Sequence, residues 1–267
     1  MGNAFFVVWR ESLEAFLIAG ILYAWLKAND DSGRGRNALF IGLASGVGLA
    51  LLLGWALLTV QDELTGEALE LFQTGTLFVA SALITQMVLW MKKHGRQMKA
   101  RLHAELATAA ERSGYLGVAV VAALAVAREG AETVIFLYGL AQGGDMSALA
   151  VGSVAGLAGA GLTAWLAAKS LARLNIGLLL RLSSILLLIL ASALLISAVD
   201  RLIGAGLLPP LLDPVWDTSL LLDDNTTGGK LIADFAGYRA RPALSSLLVW
   251  AGYWSLVIIG YRKSRHG

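Results

Sequence analysis

Two five-residue segments set acids beside a base within apolar surroundings: Arg10-Glu11-Ser12-Leu13-Glu14 and Arg128-Glu129-Gly130-Ala131-Glu132. Residues three or four apart share a helix face, so Glu11 projects with Glu14, Arg10 lies on the same side, and the second segment repeats the arrangement. Each motif sums to −1 when fully ionised, which favours a bound cation. Four carboxylates without nitrogen or sulfur ligands suit hard cations: ferric iron, magnesium, manganese or calcium, with ferrous iron also admissible. The competing uses are an Arg–Glu clamp between helices and a proton relay without metal. Buried ion pairs stabilise poorly, so two copies make an expensive clamp.

The rest of the composition narrows the choice. Cysteine is absent, which removes disulfides, iron–sulfur clusters, thiolate sites and cysteine nucleophiles. His94, His103 and His266 all lie outside the apolar runs, so a site inside a membrane must use oxygen ligands. No nucleophile, acid or acceptor-binding group accompanies the carboxylates. Transport is therefore expected rather than catalysis, with an intramembrane metalloenzyme and a non-transporting assembly subunit as the alternatives.

The elements that must carry these motifs are membrane helices. Of the residues, 57% are hydrophobic and 15% charged, against roughly a quarter charged in soluble domains. Apolar windows long enough to cross a bilayer fall at 4–26, 38–60, 70–91, 115–141, 148–168, 178–199 and 243–261. Arg10, Glu11 and Glu14 would sit at the centre of any signal peptide and no small-residue cleavage site follows, so the first window reads as a retained helix. In a bilayer each central charge costs roughly 2.5–3.5 kcal/mol, so the motif charges must face protein interior or a water-filled path. Arg128 lies near the middle of its window, where snorkelling is a poor escape; Arg10 lies nearer an end.

Basic connections alternate with acidic or neutral ones. Lys27, Arg34 and Arg36 follow the first window, whereas Asp62, Glu63, Glu67 and Glu70 follow the second. Lys92, Lys93, Arg96, Lys99, Arg101 and Arg112 follow the third, Lys169 and Arg173 the fifth, and Arg262, Lys263 and Arg265 end the chain. Basic loops stay cytoplasmic, which predicts an outside N-terminus, an inside C-terminus and seven spans. Residues 92–114 read as a cytoplasmic helical connection. Residues 200–242 read as an outer loop whose leucine runs (Leu207, Leu208, Leu211, Leu212; Leu220 to Leu222) form short helices at the interface, with Trp216 at headgroup level.

Three features recur in order. The charged motif opens each set; Gly42-x-x-x-Gly46 is matched by Gly152-x-x-x-Gly156, and Ala80-Ser81-Ala82-Leu83 by Ala191-Ser192-Ala193-Leu194. This predicts an all-α fold with an inverted repeat of three helices, about 4–91 and 115–199, plus one extra C-terminal helix. Such repeats place substrate between the copies. The glycines are read as packing surfaces only.

With two Arg-Glu-x-x-Glu motifs in helices 1 and 4 of a seven-span chain, the protein resembles the iron permeases that work with an oxidase in fungi and with periplasmic iron-handling proteins in bacteria. The outer loop resembles the bacterial branch at Trp216-Asp217-Thr218-Ser219, Asp223, Gly229-Lys230-Leu231, Gly237-Tyr238 and Arg241-Pro242. The resemblance implies iron uptake, ferric or ferrous, across a bacterial inner membrane. It implies metal ligands at Glu11, Glu14, Glu129 and Glu132, with Arg10 and Arg128 supporting the path. Glu70, Asp217, Asp223 and Asp224 are candidates for outer capture. Iron would be the transported substrate, with no permanently bound cofactor. Membrane lipid and a periplasmic iron-delivering or iron-oxidising protein are the expected partners, and nucleic acid is not. In one place the chain departs from many relatives: Phe72-Gln73-Thr74-Gly75 stands where they carry a Phe-Glu-Gly segment.

Overall fold

The computed structural model describes residues 2–30, 33–94, 97–142, 145–169, 176–224 and 226–266. Of the basic positions used for orientation, Arg96 and Arg173 lie outside the described residues. All regular structure among the described residues is helical. The helices are α1 (Gly2–Asn29), α2 (Arg34–Glu63), α3 (Gly66–His94), α4 (Met98–Ala141), α5 (Met146–Ala168), α6 (Ile176–Gly204), α7 (Thr227–Ala236) and α8 (Leu244–His266).

Every expected apolar window falls on one of these helices, and most observed helices run a few residues further at each end. α4 is two helices in sequence, joined at Gly114, whose φ of 58° and ψ of −136° interrupt the helical backbone. A side chain is strained at that positive φ, so glycine marks where the polar segment ends and the apolar one begins. The break coincides with the expected boundary between connection and span.

Five helices are long and apolar enough to cross a membrane: α2, α3, α5, α6 and α8. α1 and α4 are longer than α5 but carry the charged motifs, which lower their apolar character. Outward faces are apolar as well. Phe40, Ile41, Leu51, Leu52 and Trp55 of α2, and Val151, Val154 and Leu157 of α5, are exposed. Apolar surface on that scale calls for hydrocarbon rather than water around it.

The chain forms two compact units. The first comprises Met1–Val60, His94–Tyr138 and Asp145–Leu179; the second comprises Gln61–Lys93, Gly139–Gly144 and Leu180–Gly267. Each takes helices from both halves of the chain.

In the first unit, α2 packs on α4 and α5 packs on α1. A Cβ added at Gly46 would stand 2.7 Å from the Ala123 carbonyl oxygen, and one at Gly42 would collide with the Ala119 carbonyl. A Cβ at Gly156 would stand 2.6 Å from the Phe5 carbonyl oxygen and 3.0 Å from the Trp9 nitrogen. Gly42, Gly46 and Gly156 thus permit helix backbones to touch, each against the helix carrying the other half's charged motif. Trp9 Nε1 also donates to Thr163 Oγ1 at 3.2 Å. Ile18, Leu22 and Leu26 of α1, Ala38 and Leu39 of α2, and Leu102, Leu106, Val118 and Ala122 of α4 close a buried apolar cluster.

In the second unit, α3 meets α6 at the matched Ala-Ser-Ala-Leu segments. Ser81 Oγ donates to the Ala191 carbonyl at 2.8 Å. Tyr253 of α8 donates to the Leu188 carbonyl at 3.0 Å. Its hydroxyl lies 3.1 Å from Thr85 Oγ1.

The loop before α8 corrects one expectation. Its leucine runs form turns rather than short helices, and Leu220 and Leu221 are almost fully exposed. Pro209, Pro210 and Pro214 lack the amide that a helix needs, and Leu211 takes a positive φ of 64°. The helix of this region lies later, at α7. Thr226 caps it by accepting from the Gly229 amide at 3.2 Å, and Gly237 ends it in the left-handed conformation.

Candidate metal site

Both charged motifs lie in the first unit. α1 buries the stripe Ala4, Val7, Val8, Arg10, Glu11, Leu13, Glu14, Ile18, Leu22 and Leu26, which follows helical periodicity. The motif is therefore part of the helix's inward face, continuous with its packing surface.

Arg10 is wholly buried between its own two acids. Its Nη1 lies 2.8 Å from Glu11 Oε1 and its Nη2 lies 2.7 Å from Glu14 Oε1. On α4, Arg128 Nε lies 3.1 Å from Glu132 Oε1 and 4.0 Å from Glu129 Oε1. The Thr133 hydroxyl turns back to the Glu129 carbonyl at 2.8 Å, a local bond that leaves it no evident role in the site.

The two helices bring their carboxylates together. One oxygen each from Glu11, Glu14 and Glu129 lie within 4.8 Å of one another, and all three residues are buried. Glu132 stands beside this trio, 13% exposed, and holds Arg128. Glu11 Oε2, Glu129 Oε2 and Glu132 Oε2 are buried without a hydrogen-bond partner among the described residues. Buried polar oxygens are normally satisfied, so such a convergence marks a place for something that accepts oxygen ligands. The chemistry available is coordination of a hard cation by carboxylate, with Arg10 as the resident counter-charge.

The two arginines differ in burial. Arg10 is 0% exposed, whereas the Arg128 side chain is 47% exposed. Position along the apolar window decided less than the neighbouring helices, because α5 packs against α1 beside Arg10.

The other candidates lie in the second unit. Asp217 is engaged by its own loop: Ser219 donates both amide (3.0 Å) and hydroxyl (2.6 Å) to Oδ1, and Arg241 Nε lies 3.0 Å from Oδ2. The Ser219 donors, with Arg241 adding, hold its carboxyl below the usual aspartate range. Asp224 accepts from the Ala240 amide at 3.3 Å, and the Asp223 carbonyl accepts from Thr226. The carboxylates of Asp217 and Asp224 are thus tied into loop structure. Glu70 instead lines a cavity of about 420 Å³ at the start of α3, together with Glu67, Gln73, Thr74 and Arg201. Gln73 Oε1 accepts from Arg201 Nη1 at 2.8 Å. Sequence reasoning missed Arg201, since nothing local ties it to a position so far away in the chain.

The Iron permease FTR1 family matches residues 1–262. The chain belongs to that family. It is 30% identical over 259 residues to a protein named ferrous iron permease EfeU from Escherichia coli O6:K15:H31, covering 96% of this chain and 94% of the relative. A protein of the same name from Yersinia pestis is 28% identical over 251 residues, covering 93% and 89%. No solved structure matches. As a member of the iron permease family with five membrane-capable helices, the chain is a multi-pass protein of the bacterial inner membrane and, by family, a transporter.

Proposed function

We propose that this chain takes iron from the outer face of the membrane into the cytoplasm through the carboxylates of α1 and α4. The observation that carries the proposal is the buried trio of Glu11, Glu14 and Glu129, whose oxygens converge within 4.8 Å in a member of an iron permease family. The seven spans are α1 to α6 and α8, with the N-terminus outside and the C-terminus inside. The positions of the basic residues support that orientation. The inverted repeat is supported by the exchanged packing at Gly42 and Gly46 (α2 on α4) and at Gly156 (α5 on α1), and by the Ser81–Ala191 contact at matched segments.

Iron reaching the site displaces Arg10 from Glu11 and Glu14, is shared with Glu129, and passes to Glu132 as Arg128 swings away. The half-exposed Arg128 is the arm freer to move. A carboxylate cage with a built-in guanidinium exchanges its cation more readily than one without it, as conduction requires. An inside-negative potential favours entry by about 2.3 kcal/mol per charge per 100 mV. The relatives are named as ferrous iron permeases, so Fe²⁺ is the first cargo to test. Glu11→Gln and Glu132→Gln should each cut iron uptake by intact cells about 10–100-fold at equal protein level. Unimpaired uptake in both would sink the proposal. A transporter of another hard divalent cation is the second reading, favoured by the all-oxygen donor set.

A further inference from the structure

The buried acids share their helix faces with an apolar stretch. On α1, Ile18, Leu22 and Leu26 follow Glu14 at intervals of four; on α4, Val126, Ala122 and Val118 precede Glu129 on its own face. All six are buried, Leu22 and Ala122 completely. From Glu14 to Leu26 the stretch is about 18 Å long at 1.5 Å per residue, and these side chains offer a cation no oxygen. Its far end is closed by Leu102 and Leu106, which join Leu22, Leu26, Val118 and Ala122 in one apolar cluster.

Leu102 and Leu106 belong to the polar first part of α4, ahead of the break at Gly114. The two parts of α4 fold against each other, since a Cβ added at Gly117 would collide with the Ala109 carbonyl. Leu102, Leu106 and Ala110, spaced by four, form the stripe that meets the cluster. Arg101, Glu105, Glu111 and Arg112 are exposed, and Arg101 Nε lies 2.8 Å from Glu105 Oε1. One narrow stripe thus holds this segment to the cluster, and a glycine at positive φ joins it to the rest of α4. Ordinary packing between spans accounts for the burial of Leu22 and Val118. It does not account for a polar segment turned back through a glycine to lay two leucines over the end of the motif's own face.

We propose that residues 98–113 are the inner gate of the permeation path: Leu102 and Leu106 seal the apolar stretch, and rotation at Gly114 lifts them to let water reach the carboxylates. The proposal rests on the permease reading above and adds where the path is closed. An apolar constriction stops a hydrated ion by staying dry, and a hinge needs only a few residues at the end of an element. The structure is the state closed on that side.

The chain has no cysteine, so engineered thiols can be read one at a time. Purified Leu22→Cys/Leu106→Cys protein in proteoliposomes is joined by a short bis-methanethiosulfonate, and Fe²⁺ uptake is measured before joining, after it and after reduction. Uptake should be lost on joining and return on reduction, with wild type unaffected by the reagent. A second measurement is independent of cargo: the rate at which a membrane-impermeant maleimide, supplied from the side of the α1 C-terminus, labels Leu22→Cys. Adding Leu102→Ser/Leu106→Ser should raise that rate about tenfold or more, because an open state is ordinarily about 0.1–10% populated before its seal is lost. Ala80→Cys, buried in the second unit, should stay slow to label in the same double-serine background, which separates an opened gate from loss of fold. Undiminished uptake by the joined protein, or Leu22→Cys labelled no faster without the two leucines, would overturn the gate. Accelerated labelling in a protein that takes up no Fe²⁺ before joining would instead support the gate and count against the permease reading alone.

Discussion

Arg10 Nη2 lies 2.7 Å from Glu14 Oε1, and neither side chain exposes more than 6% of its surface. The equivalent pair on α4, Arg128 and Glu132, is looser at 3.1 Å and has a half-exposed arginine. Two copies of one motif therefore hold their counter-charges differently. One is a fixed part of the interior, and the other reaches its surface.

That difference sets the stability of the two arginine variants apart. Arg10→Gln leaves Glu11 and Glu14 buried without a counter-charge, which should cost about 3–5 kcal/mol. Arg128→Gln removes a partner that is itself half exposed and should cost less, about 1–3 kcal/mol. Thermal unfolding of the detergent-solubilised proteins reads the difference. Equal destabilisation would contradict the asymmetry.

The glycine contacts make a second prediction. Gly42→Val and Gly156→Val force a side chain against the backbone of α4 and of α1, and each should cost about 1–3 kcal/mol from overpacking. At Gly48 nothing lies within 4 Å of an added Cβ. Gly48→Ala should be neutral or stabilise by up to about 1 kcal/mol, since alanine favours helix. Folded yield after membrane extraction distinguishes the three; equal yields for Gly42→Val and Gly48→Ala would count against backbone contact between α2 and α4.

Much of this was readable from residue order, and the remainder has physical causes. The helix boundaries follow apolar length, and the break at Gly114 follows the switch from polar to apolar pattern. The convergence of Glu11, Glu14 and Glu129 required only that helices 1 and 4 meet. That Arg10 is more deeply buried than Arg128 was not readable, because it depends on how α5 packs against α1 rather than on depth along a window. The leucines before α8 misled because hydrophobicity alone does not make a helix where three prolines interrupt the amides. Arg201 reaches Gln73 across more than a hundred residues, and no local pattern signals such a pair.

Asp217 gives a pH prediction. Its carboxyl is held below the ordinary aspartate range by Ser219 and Arg241. The stabilising contribution is therefore present at neutral pH and fades as pH falls through and below the ordinary value of about 3.9. Limited proteolysis of residues 205–226 should be slow at pH 7 in wild type. It should become fast either on acidification below that range or, at pH 7, in Asp217→Ala. Iron uptake by Asp217→Ala should stay within about twofold of wild type, a margin expected of a change in exposed loop structure. Abolished uptake with an intact loop would instead make Asp217 a capture ligand.

The central claim is that Glu11, Glu14 and Glu129 carry the transported iron. The most direct measurement is metal-resolved uptake by purified protein in proteoliposomes held at an inside-negative potential, with Fe²⁺, Mn²⁺ and Mg²⁺ offered separately. The account predicts that wild type accumulates iron and that Glu129→Gln reduces this about 10–100-fold while remaining folded. Iron accumulation by Glu129→Gln at the wild-type rate would contradict it.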